Sequence, residues 1–121
     1  MKKKANKQSA DVHVPVTMIS YSWKGNISLP RNKTYTLFIK YPLSNPAKFD
    51  IKTGKNGMGI IELIGAIGKV YKKIYEIDDL EEKSNNDNFT YGVWGHDIGD
   101  LNLSGINVDH VKKQITIDVD S

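Results

Sequence analysis

Hydrophobic and polar residues alternate along the first fifty positions, then change period. Val12, Val14, Val16 and Met18 alternate with His13, Pro15, Thr17 and Ile19, the period-two signature of a half-buried strand. Pro15 lacks a backbone donor, which puts this strand at a sheet edge or starts its pairing beyond that point. Tyr21 and Trp23 extend it to a turn at Lys24-Gly25-Asn26. Ile27-Ser28-Leu29 reads as a short return strand, stopped by the turn residues Pro30-Arg31-Asn32-Lys33. Tyr35, Leu37, Ile39 and Tyr41 alternate with Thr34, Thr36, Phe38 and Lys40, the clearest strand in the chain. Pro42 and Pro46 bracket a loop, and residues 48–52 give a fourth strand. Short strands joined by turns predict a β-meander.

After residue 59 the period becomes helical. Ile60, Ile64, Ile67, Tyr71 and Ile74 recur at spacings of four and three, flanked by Leu63, Val70 and Ile77, a wide apolar stripe that predicts one helix over about residues 58–77. Gly65 and Gly68 interrupt it, each costing up to about 1 kcal/mol against alanine, so tight helix–sheet packing is expected there. Residues 78–88, acidic and then asparagine-rich, read as a surface loop. A glycine- and aromatic-rich stretch over 89–100 follows. Leu101, Leu103, Ile106 and Val108, then Ile115, Ile117 and Val119, predict a C-terminal hairpin. The fold class read from this order is α+β: a mostly antiparallel sheet of about six strands, ββββ-α-ββ, packed by one central helix.

Length and composition bound this picture. The 121 residues suit one domain, assigned to residues 11–121, with residues 1–10 as a disordered basic tail because they hold almost nothing to bury. The chain has no cysteine, which excludes disulfides and thiolate chemistry. No apolar run approaches the ~18 residues of a membrane span, and no apolar stretch follows Met1-Lys2-Lys3-Lys4, so neither a membrane partner nor a secretion signal is expected. A cytoplasmic or virion-associated location fits. The bias toward lysine, asparagine and isoleucine is that of an AT-rich coding genome, in keeping with a small phage or bacterial structural or accessory protein.

The net charge of +3 conceals an asymmetry. Residues 1–73 hold 14 Lys and Arg against 3 Asp and Glu, a balance of +11, whereas residues 74–121 hold 3 against 11, a balance of −8. Either the halves face each other and neutralise, or the surface carries opposite charges at separate places that favour self-association or steer a charged partner.

Three constellations could carry chemistry. Gly54, Gly57 and Gly59 open the helix, an arrangement whose amides suit an anion. Lys55 is misplaced for a phosphate loop, and a strand-to-helix turn accounts for the glycines. His96-Asp97, with Asp100, resembles the His-Asp pair of metal phosphohydrolases, which also need further ligands on helices; a small metal-dependent or acid–base enzyme using His96 and Asp97 is one alternative reading. Trp94, His96, Asp97 and Tyr91 are the densest group of interaction-prone side chains and the first candidates for a binding site. Lys2, Lys3 and Lys4 form a cationic arm, with Tyr21, Trp23, Tyr35 and Phe38 interleaved among basic residues; a small nucleic-acid-binding protein is the other alternative. The leading expectation is a non-enzymatic binding or assembly module, with a protein partner or a homo-oligomer, no cofactor and no metal.

Overall fold

The computed structural model describes residues 6–17, 27–84 and 88–121. Met18, Tyr21, Trp23 and the turn at 24–26 lie outside these residues, as do Lys2, Lys3 and Lys4. Among the described residues seven strands, β1 (Lys7–Pro15), β2 (Ser28–Leu29), β3 (Thr34–Ile39), β4 (Ala47–Lys52), β5 (Met58–Gly59), β6 (Asn102–Asp109) and β7 (Gln114–Asp120), accompany one helix, α1 (Ile60–Lys83), and a single 3₁₀ turn at Ile98–Asp100. The fold is α+β, as the pattern indicates.

The sheet order is β1-β6-β7-β3-β4, with β2 and β5 forming a separate two-stranded ribbon. The expected meander is therefore correct only for the β3–β4 hairpin. The C-terminal hairpin enters between β1 and β3, pairing antiparallel with β1 and parallel with β3. Its alternating Leu103, Ile106, Val108 and Ile115 are almost fully buried, so the most apolar hairpin takes the centre and the Pro15-bearing strand takes an edge.

Residues 7–10, expected in an unstructured tail, are paired with residues 106–109 of β6. Backbone pairing does not need apolar side chains, and Gln8 is further tied by its side chain to His110 and to the Ser28 amide. One face of the sheet presents Tyr35, Leu37, Ile39 and Ile51 with the residues above to the apolar stripe of α1, Leu63, Ile64, Ile67, Tyr71 and Ile74. The other shows Thr34, Lys48, Asp50, Thr116 and Asp118 to solvent, as antiparallel sheets permit.

The helix starts two residues later and ends six residues further on than its periodicity indicates. Met58 and Gly59 pair with β2 instead. Beyond Ile77 the apolar stripe ends, but Leu80, Glu81, Glu82 and Lys83 are good helix formers, and three contacts hold this last stretch. Asp78 Oδ1 accepts from the Val93 amide at 3.1 Å, Glu81 accepts from the amide and hydroxyl of Thr90, and Asp79 pairs with Lys83.

Two glycines are there for space. A Cβ on Gly68 would lie 2.5 Å from the Val16 carbonyl oxygen, so α1 touches the end of β1 backbone to side-chain-free backbone. Gly57 has φ +72°, and a Cβ on it would overlap the Leu29 carbonyl oxygen, so the glycine loop is a turn packed on β2. Gly65 has nothing within 4 Å of its would-be Cβ.

Candidate docking site

The loop over residues 88–101 is stitched to the 40–46 turn and to the end of α1. Ser44 and Asn45 donate their amides to Gly92 and Tyr91, and Trp94 donates to Pro42. Gly92 and Gly95 both take φ +64°, which lets the chain turn twice around Trp94. Below, the buried Tyr71 hydroxyl donates to the Tyr41 carbonyl at 2.7 Å and Tyr75 to the His96 carbonyl at 2.9 Å. Burial raises both phenols above their ordinary range, Tyr75 to about 12 with Asp97 and Asp78 adding to the effect, so both are neutral donors.

These anchors gather three rings. Trp94 stands edge-on to Tyr41 with centroids 5.5 Å apart and to His96 at 5.2 Å, and Tyr41 and His96 lie 5.3 Å apart. The Tyr41 hydroxyl contacts His96 Nε2 at 3.0 Å and Ser121 Oγ at 2.9 Å. Trp94 nevertheless keeps 48% of its surface exposed. Tyr91, expected in this group, packs instead on Phe49 of β4 with centroids 5.8 Å apart. Tyr41, read only as a strand residue, takes its place: β3 stops at Ile39, and the chain turns at Tyr41–Pro42 to bring the ring under Trp94.

Beside the rings, Tyr75, Asp78, Asp79, Glu82, His96, Asp97 and Asp100 line an open cavity of about 430 Å³. Its wall is acidic, and Lys83, tied to Asp79 at 3.0 Å, is the cation of the helix end. No group of three or more His, Asp or Glu side chains among the described residues is placed to hold a metal ion.

The opposite end of the sheet is basic. It is formed by the start of β1, the 30–33 and 53–57 turns and the β6–β7 turn, where Lys7, Arg31, Lys33, Lys52, Lys55, Lys112 and Lys113 are all exposed. Asp109 is the one carboxylate in these turns, and its oxygen accepts from the amides of Val111 and Lys112 at 3.0 Å. Those amides, Lys112 foremost, hold its carboxyl below the ordinary value. The segment carrying Lys2, Lys3 and Lys4 joins the described chain here, at Asn6.

This end also holds a constellation that the sequence pattern does not announce. Ser28 N–H and His110 Nε2–H both donate to Gln8 Oε1, at 3.1 and 2.7 Å, and the Tyr35 hydroxyl is hydrogen-bonded to His110 Nδ1 at 2.6 Å; the Gln8 amide oxygen can only accept, which places a hydrogen on Nε2. The one signal for it is Tyr35 itself, since an inward-facing tyrosine needs a partner for its hydroxyl. Next to these groups, Pro30, Lys33, Tyr35, His110 and Lys113 line a cavity of about 500 Å³.

The two charged ends do not meet. β1 spans them with nine residues, about 27 Å at the rise of an extended strand. Among the described residues the one ion pair is Lys83–Asp79, within the helix.

Comparisons of the chain with protein-family models, curated proteins and solved structures find no match.

Proposed function

We propose that the protein is a non-enzymatic assembly module that joins protein surfaces through its oppositely charged ends. The observation that carries this reading is the separation of charge: the basic turns and the acidic loop lie at opposite ends of one sheet, with no ion pair between them among the described residues. Over about 27 Å, several times the ~8 Å screening length of physiological salt, the ends exert little force on each other within one molecule. Each is left to attract a complementary surface, and identical chains supply one. The exposed Trp94 beside the acidic wall adds the large, rigid aromatic that protein interfaces favour. A small structural or accessory protein, of a phage or a bacterium, fits this role.

Zero-length carbodiimide cross-linking of an equal mixture of light- and heavy-isotope-labelled chains tests the reading. Mixed-label links joining basic-end lysines to acidic-end carboxylates are expected. Absence of mixed-label links between those two ends counts against it. The basic end also suits a nucleic-acid backbone; steeply salt-dependent binding to a polynucleotide, without self-association, moves the assignment to that class.

A further inference from the structure

The two ends differ in shape as well as in charge. The acidic end carries a projection: Trp94, half exposed, braced by Tyr41 and His96 and followed by the exposed Asp97 and Asp100. At the basic end is an open recess of about 500 Å³ lined by Asn6, Gln8, Pro30, Tyr35 and His110, with the exposed Lys33 and Lys113 on its rim. The volume lies within the ~300–1,000 Å³ of small-ligand pockets, so a side chain the size of an indole fits. Neither rim lysine has a carboxylate within ion-pair distance among the described residues.

We propose that Trp94 of one copy enters the Tyr35–His110 recess of the next, with Asp97 and Asp100 set against Lys33 and Lys113, so that copies join head to tail. This inference rests on the assembly reading above and names its contact. An indole suits the recess on two counts: it packs edge-to-face on a ring such as that of His110, and its face attracts a lysine ammonium. The contact is heterologous, using different patches on the two copies, so it does not close on itself by a two-fold axis; repeated, it builds rings or open chains.

The test uses full-length chains and light scattering at low ionic strength. The parent is expected to grow in mass with concentration. Trp94→Ala disables the projection, and the double variant Lys33→Glu, Lys113→Glu disables the rim of the recess, so each alone is expected to remain a single chain. Their equimolar mixture should give a heterodimer and nothing larger, because one intact projection then meets one intact recess. Asp97→Asn with Asp100→Asn, which leaves the ring packing in place, serves as the second variant should Trp94→Ala lose its circular-dichroism signature. It should weaken association roughly tenfold or more, the scale of losing charges beside an interface anchor. If the parent assembles while Trp94→Ala and the Asn pair assemble equally well, or if the mixture of folded variants stays monomeric, the head-to-tail contact is wrong and the assembly reading stands. A parent that is monomeric at every concentration overturns both.

Discussion

The Tyr41 hydroxyl lies 3.0 Å from His96 Nε2 and 2.9 Å from Ser121 Oγ, so one phenol joins the loop that carries Trp94 to the end of the last strand. Tyr41 comes from the turn after β3, His96 from the loop after the helix, and Ser121 follows β7. Tyr41→Phe keeps the ring under Trp94 and removes both hydrogen bonds. A loss of about 1–3 kcal/mol is expected at about 0.5–1.5 kcal/mol per bond, seen as a lower denaturation midpoint. An unchanged midpoint would show that the hydroxyl is not holding the loop.

Gly65 and Gly68 should respond in opposite directions to the same substitution. A Cβ on Gly68 lands 2.5 Å from the Val16 carbonyl oxygen, so Gly68→Ala must push α1 from β1 and is expected to cost about 1–3 kcal/mol. Gly65 meets nothing within 4 Å, so Gly65→Ala keeps only the helix-propensity gain, up to about 1 kcal/mol of added stability. Thermal denaturation of the two variants checks the pair, and equal effects would contradict the packing described here.

Much of the architecture is legible in the chain, and the exceptions have identifiable causes. Periodicity alone places β3, the C-terminal hairpin and the core of α1, because their inward residues recur at close to the strand or helix period. It cannot say which strands are neighbours, since pairing of β1 with β6 is decided by backbone groups common to every residue. The last turns of α1 were hidden because Asp78, Glu81 and Lys83 are held by tertiary contacts and an i,i+4 pair, not by an apolar stripe. At the candidate site, Trp94, His96 and Asp97 do come to one place, while Tyr91 goes to Phe49 and Tyr41 arrives from 55 residues before His96. That last contact, like Tyr35 with His110, spans too much sequence for any local pattern to show it.

Tyr35→Phe removes the hydroxyl bonded to His110 Nδ1 and leaves that nitrogen partly buried without it. A loss of about 1–3 kcal/mol is expected for an unsatisfied polar group. Hydrogen exchange should show faster opening at the start of β1, which His110 holds through Gln8. Protection there identical to the parent would separate Tyr35 from the anchoring of β1.

Asp109 gives the β6–β7 turn a pH dependence of definite sign. Its folded-state pKa is lowered from 3.8 by the amides of Lys112 and Val111. The ionised carboxylate therefore favours the folded chain above the ordinary carboxylate range, and that contribution disappears as pH falls through the lowered folded value. Asp109→Asn should lower the melting temperature near neutral pH, and its difference from the parent should shrink in acid. A difference that grew on acidification would reverse the assignment.

Light scattering of the full chain at two ionic strengths addresses the separation of charge most directly. At about 10 mM salt, where the screening length is ~30 Å, mass should rise with concentration above the 13.6 kDa of one chain; at about 1 M, where it is ~3 Å, the charge-driven part of that association should be lost. A mass of 13.6 kDa at both salts and every concentration would contradict assembly through opposite ends.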